Sequence, residues 1–347
     1  MTGRLSTRIG ALRLPNPVIC GSGEPVMTEA GIRAALAAGA AGVIAKSVNE
    51  QRAAAAQLDR ADYTFLTQDH RSAAHGTSLF CRSGLSQRDA ADWFSTLAAI
   101  DREAAGNNQF VAASIVLGTA NGAVRLAALA RDVGLRVIEL NVGAPHASEA
   151  ASAAIAQETN PESLRGLVAS VRDVTQGMQL WIKLTGLASN LPALAVAASQ
   201  AGADAVVMMG RFMALVPDLD TLGPALGTSG AYGGPWALPI VCRFLALSRR
   251  AVGPGIPLLG TNGARNGADV ARLALAGAAA TEVLSVVMHD GFGAITRIIG
   301  ELDVLLETRD FAFSGLIGGA ADRLGSYADQ PERPGRWRDH VPPETLA

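Results

Sequence analysis

The sequence predicts an α/β protein folded as a single (β/α)8 TIM barrel, with the active site at the C-terminal face of the strands. Three observations predict it. Short apolar runs alternate along the chain with segments of helical period, eight of each. The runs alternate only weakly between apolar and polar, as expected of a parallel sheet covered on both faces. Two long connections, 47–86 and 211–235, stand out. In a barrel both rise from the C-terminal face, where lids and binding loops sit. A doubly wound open sheet shares the alternation and is the alternative architecture.

In chain order, the apolar runs that read as strands are 17–20, 42–46, 110–116, 137–141, 179–184, 205–209, 257–260 and 282–286. The segments of helical spacing that follow them are 29–38, 87–105, 122–133, 161–175, 191–201, 236–251, 267–276 and 291–306. Eight strands each followed by a helix outweigh the two-domain prior that 347 residues would suggest. The barrel is expected to occupy residues 1–324. The Pro-, Arg- and Asp-rich tail, 325–347, reads as an extended surface arm or a loosely ordered terminus.

Composition narrows the function. The formal charge is -2 and there is no basic block, so nucleic acid is not expected as a partner. The longest apolar runs are too short to span a bilayer, so no membrane partner is expected. Residues 1–14 carry Arg4, Arg8 and Arg13 without an apolar core, unlike a secretory signal, which points to the cytoplasm. The three cysteines, Cys20, Cys81 and Cys242, are too few and too far apart for a disulfide framework or a cluster held within the chain. The His residues form no paired spacing with them, so no metal is expected.

Polar residues collect where strands end. They are Gly21-Ser22-Gly23 after strand one, Lys46-Ser47 after strand two, Asn141 at strand four, Lys183 in strand five, Gly260-Thr-Asn-Gly263 at strand seven and Ser285 at strand eight. A Lys within Trp181-Ile-Lys-Leu184 is costly to bury unless it meets an anion or acceptor. Otherwise it lies at a strand end and reaches solvent. The Gly260–Gly263 turn suits a phosphate cradle made of backbone N–H groups, although such a turn alone marks only a tight bend.

These segments together resemble the dihydroorotate and dihydropyrimidine dehydrogenase family. Val137-Ile-Glu-Leu-Asn-Val-Gly-Ala-Pro-His146 resembles its E-L-N-x-S-C-P-N/H signature. Leu14-Pro-Asn-Pro-Val-Ile-Cys-Gly-Ser-Gly23 resembles N-P-x-x-x-A-S-G, and Gly42-Val-Ile-Ala-Lys-Ser47 resembles G-x-x-x-K-[ST]. Arg82-Ser-Gly-Leu85, Gly202-Ala-Asp204, Gly230-Ala-Tyr-Gly-Gly-Pro235 and Gly260-Thr-Asn-Gly263 fall at further family motifs, as do Gly267-Ala-Asp269 and Ala276-Gly-Ala278. The resemblance implies FMN at the barrel mouth. It places Lys183 at the flavin pyrimidine edge, Lys46 near ring and substrate, and Asn141 between flavin and substrate. Gly21, Ser22, Gly23 and Ser47 join the cofactor set. Gly233, Gly234, Asn262, Gly263 and Ser285 would hold the phosphate or ribityl chain.

The departures fall on the substrate side. The family's catalytic Cys or Ser aligns with Ala144, and the catalytic Cys of the dihydropyrimidine relatives aligns with Gln157. Cys81 stands for the first Asn of N-x-x-G-L, and Met209-Gly210-Arg211 for I-N-T/S. Arg82 and Arg211 would face the pocket and suit an anion, or else point to solvent. His146 and Cys81 are the candidate proton partners, with Lys46 beside them. Each has a plainer reading, His146 as a satisfied loop residue and Cys81 as a small buried one.

The expected function is an FMN-dependent oxidoreductase that exchanges hydride with a small cyclic or unsaturated substrate bearing an anionic group. It is not a standard dihydroorotate dehydrogenase. An oxygen-using flavin oxidase or monooxygenase and a non-catalytic FMN subunit are the alternatives. A homodimer and a separate electron-transfer partner are expected.

Overall fold

A computed structural model describes residues 3–51, 55–143 and 158–346. Each apolar run is followed by a helix that carries the chain back to the same end of the sheet, so successive strands pair in parallel. The barrel strands are β1 Val18–Cys20, β2 Gly42–Ile44, β3 Phe110–Val116 and β4 Val137–Asn141. They continue as β5 Gln179–Lys183, β6 Ala205–Met208, β7 Leu258–Thr261 and β8 Ala278–Val283. Pairing of Thr281 on β8 with Val18 on β1 closes the barrel, as the sequence predicted.

The helices are α1 Glu29–Ala37, α2 Ala90–Ala105, α3 Ala120–Asp132 and α4 Pro161–Val174. They are followed by α5 Leu191–Gln200, α6 Leu238–Val252, α7 Gly267–Leu275 and α8 Gly293–Glu307. Thr28, Asp89, Thr119, Asn160 and Asn266 each accept a first-turn backbone N–H and so fix where their helix begins.

Strand periodicity decides what lies inside. On β4, Val137, Glu139 and Asn141 share one face; on β5, Trp181 and Lys183; on β8, Ala280 and Glu282. The lower members pack with Phe110, Ala112 and Leu259 in the barrel interior. Gly42 has no side chain, which leaves room for the Phe110 ring on the neighbouring strand. An N-terminal hairpin, Thr7–Ile9 paired with Leu12–Leu14, inserts Ile9 and Leu14 into the same cluster and closes that end. The polar members sit above, at the C-terminal end. A separate apolar layer between strands and helices holds the ring of helices on.

One expectation is corrected. Strand eight runs over Ala278–Val283 and not 282–286, and a short helix, Ser285–Asp290, begins where that strand was expected to end. Ala278-Ala279-Ala280 reads as helix continuation by propensity. Pairing with β7 and β1 on both sides imposes strand instead, and small side chains suit the crowded interior. The two long connections, expected as lids or binding loops, carry strands of their own. They build a five-stranded antiparallel sheet over the barrel mouth from Met213–Ala214, Gly230–Gly233, Ser78–Arg82, Asp62–Leu66 and Ser72–Ala73. Ala231 pairs with Cys81 and Gly233 with Leu79, so the first connection is stitched to the second. Leu66, Phe80, Val216 and Leu226 give this lid a small core of its own.

Beyond residue 324 the chain makes three single 3-10 turns with almost every side chain exposed. No helix among the described residues is long and apolar enough to cross a membrane.

Candidate active site

The strand ends and the lid sheet enclose a pocket of about 1050 Å³, part of it open to solvent. Gly21 and Ser22 after β1, Lys46 and Ser47 after β2, Asn141, Lys183 and Glu282 line its barrel side. Cys81, Arg211, Phe212, Tyr232 and Gly233 line the lid side, with Asn262, Gly263 and Ser285 at one end. Tyr232 stacks on Trp236 at 4.9 Å, and Phe212 meets the same indole edge-on at 5.1 Å, so the lid presents a rigid aromatic wall.

On the floor, Lys183 donates to Glu282 and lies 3.4 Å from both oxygens of Glu139. Glu139 and Glu282 are almost wholly buried. Burial would depress the Lys183 ammonium, but the charges of Glu139 and Glu282 outweigh it and raise its pKa. Burial first, and then the Glu282 charge, push the Glu139 carboxyl well above the usual carboxylate range. A hydroxyl chain joins this floor to the wall: Ser22 to Ser47 at 2.9 Å, Ser47 to Ser114 at 2.8 Å, and Ser114 donating to Glu139 at 3.3 Å.

A second cluster lies under the lid. Lys46 Nζ donates to Glu24 Oε1 at 2.7 Å, and the Tyr63 hydroxyl donates to the same oxygen at 2.6 Å. Burial would raise the Glu24 carboxyl, but the Lys46 charge and these two hydrogen bonds hold it low. Lys46 is almost fully buried, and burial keeps its pKa below the ordinary value despite Glu24. Burial raises the Cys81 thiol, which the nearby Arg211 charge only partly offsets, so Cys81 stays a neutral thiol at neutral pH. Arg211 donates to the Ser83 hydroxyl at 2.6 Å and keeps one edge toward the pocket.

At the far end, Asn262 and Gly263 both adopt left-handed backbone, at φ 74° and 89°. A Cβ on Gly263 would also come within 2.5 Å of the Leu238 nitrogen, so the turn needs glycine there. The Asn262 amide donates to the carbonyls of Met209 (2.7 Å) and Gly210, which ties the β7 turn to the end of β6.

The pocket thus gathers most of the residues singled out in the sequence. Arg82 is not among them. Its guanidinium donates to the Leu226 carbonyl at 2.6 Å and lies 3.6 Å from Asp62, so it braces the lid and does not line the pocket. Strand alternation is the reason: Cys81 and Arg82 are consecutive in one lid strand and face opposite ways. Gly23 and Gly234 flank the lining without joining it. A Cβ on Gly23 would strike Leu284, and one on Gly234 would strike Ser78, so both serve close packing. Ser285 lines the pocket from a helix start and not from a strand end. The catalytic candidate His146, with Ala144 and Gln157, lies outside the described residues. Glu24, Tyr63, Ser114, Glu139 and Glu282 were not singled out in the sequence. Only Glu139 and Glu282 left a signal there, as carboxylates inside buried apolar runs.

A barrel whose strand ends gather two lysines, an asparagine and glycine turns under a lid defines a class, the small-molecule enzymes that work at the C-terminal face of a (β/α)8 scaffold. The sequence model of the dihydroorotate dehydrogenase family matches residues 80–306, well over half of the chain. The chain belongs to the dihydroorotate dehydrogenase family, a family of FMN-dependent oxidoreductases, which is the class its motifs implied. It is 31% identical over 179 residues to dihydroorotate dehydrogenase A (fumarate) of Limosilactobacillus reuteri, covering 51% of this chain and 56% of that one. It is 30% identical over 186 residues to the catalytic subunit of dihydroorotate dehydrogenase B (NAD(+)) of Methanocella arvoryzae, covering 53% and 60%. It is 31% identical over 185 residues to the corresponding subunit of Bacillus mycoides, covering 53% and 58%. The matched segments therefore span little more than half the length of these relatives.

Proposed function

We propose that this chain is an FMN-dependent oxidoreductase acting on a small anionic substrate, cyclic or unsaturated, and that it is not a standard dihydroorotate dehydrogenase. The observation that carries the cofactor reading is the left-handed Asn262-Gly263 turn at one end of a pocket whose floor holds Lys183 and Glu282. Gly233, Asn262 and Gly263 suit a phosphate or ribityl chain. A Cβ on Gly233 would meet Asn262 Oδ1 at 3.2 Å and narrow the channel between them. Glu282 Oε1 is buried on the pocket floor with no hydrogen-bond partner among the described residues, which suits a ring N–H donor. Bound there, FMN supplies hydride exchange at its ring.

The substrate side supports the second half of the reading. Lys46 and Arg211 both line the pocket, and among the described residues only Lys46 of the two has a carboxylate partner, Glu24. The excess positive charge favours an anion, for which a guanidinium gives two parallel donors. Lys46, with its lowered pKa, is the proton partner that this geometry favours. Glu24 and the half-buried Tyr63 hydroxyl connect it toward solvent. Ala144, at the family's base position, has only a methyl group. The subunit organisation in the relatives' names supports a separate electron-transfer partner, beside the homodimer expected from the sequence.

The test is anaerobic reoxidation of the photoreduced, FMN-loaded protein by a panel of small unsaturated and cyclic carboxylic acids. At least one acid should reoxidise the flavin faster than buffer does. Arg211→Ala should then raise its half-saturating concentration at least tenfold, about 1.4 kcal/mol, with a smaller change in the saturated rate. An unchanged half-saturation would remove the anion role from Arg211.

A further inference from the structure

The floor of the pocket carries one cation and two carboxyls. Lys183 on β5 stands between Glu139 on β4 and Glu282 on β8, and all three are buried. The other strands add no compensating charge. β1 offers Cys20, whose thiol is pushed up to about 12 by burial and then by Glu282. β2 leads to Lys46, which is turned to Glu24. β3 offers the neutral Ser114 hydroxyl. β6 and β7, Ala205–Met208 and Leu258–Thr261, contain no ionisable side chain. Two ionised carboxylates would leave a net negative charge at a depth where an uncompensated ion costs several kcal/mol. Keeping one proton on the pair removes that penalty, as in other carboxyl pairs that share a site.

We propose that Glu139 and Glu282 hold one proton between them and together cancel the charge of Lys183, so that the floor of the flavin pocket is electrically neutral. This rests on the FMN reading above and specifies what that site does. A lone lysine at the floor would stabilise the negative charge that a flavin gains on reduction. With that charge cancelled, reduced flavin is less favoured, its reduction potential is lower, and the equilibrium shifts toward giving hydride to the substrate. Glu139 and Glu282 are positioning residues in this account. Glu282, which lines the pocket, acts at shorter range than Glu139.

Two measurements test it. Infrared spectroscopy of the unmodified apoprotein should show the carbonyl band of a protonated, buried carboxyl that persists at mildly alkaline pH and disappears in Glu139→Gln/Glu282→Gln. No such band would overturn the shared proton whether or not flavin binds. Dye-equilibrated titration of the FMN-loaded protein supplies the second measurement. The double variant should favour reduced over oxidised FMN at least tenfold more than the unmodified protein does, a rise of about 30 mV for two electrons. Glu282→Gln alone should move the same way by less. An unchanged potential in the folded, FMN-loaded double variant would overturn the charge cancellation. Should the unmodified protein take up no FMN while the infrared band is present, the flavin reading fails and the shared proton stands.

Discussion

Lys183→Ala should destabilise the protein by about 3–5 kcal/mol at neutral pH, the usual cost of removing one partner from a buried ion group. Lys183 stands between two carboxyls that have no other cationic partner among the described residues. In the variant, folding favours the protonated carboxyls. Stability should then be nearest normal below the unfolded carboxylate range, around pH 4, and should be lost as pH rises through the elevated value in the folded state. Glu139 shows the same sign in the unmodified protein, since burial and the Glu282 charge already raise it. Urea unfolding at several pH values measures the effect. A variant as stable as the unmodified protein at neutral pH, with a flat pH profile, would show that the lysine does not balance the pair.

Dihydroorotate should reduce the bound flavin slowly. Oxidising it requires removal of a carbon-bound proton as hydride leaves, and a positioned general base contributes about 10²–10⁴-fold to such a step. Ala144 supplies none. Cys81, which aligns with one of the family's amides, is a buried neutral thiol. Gly210 replaces another and packs its backbone against the Leu184 carbonyl. A substrate held by fewer groups also loses orientation. Stopped-flow bleaching by dihydroorotate, run beside Ala144→Cys, separates these causes. Fast bleaching of the unmodified protein would contradict the change of substrate. Recovery in Ala144→Cys would assign the defect to the base alone, and slow bleaching in both would assign it to the pocket.

Much of the scaffold was legible in the sequence because a parallel barrel repeats one local rule. Strand and helix periods alternate, and polar residues gather at strand ends. The misses have physical causes. Ala278-Ala279-Ala280 has helical propensity, and only its neighbours on β7 and β1 make it a strand. The lid sheet was missed because its pairing joins Cys81 to Ala231 across 150 residues, beyond the reach of any local pattern. Arg82 was assigned to the pocket by motif position, whereas strand parity turns it away and leaves Cys81 inside. Lys183 was legible as a costly buried cation. Its partners were not, because Glu139 and Glu282 meet it only when β4, β5 and β8 converge in the barrel interior.

The expected occupant of the barrel mouth is FMN. The most direct test is the absorbance spectrum of the purified protein, followed by mass identification of any flavin released on denaturation. The glycine turn after β7 offers one phosphate site, and the described residues form no dinucleotide-binding unit. The expected result is a yellow protein carrying about one FMN per chain and no FAD. A colourless protein that remains colourless after incubation with FMN and gel filtration would contradict the account.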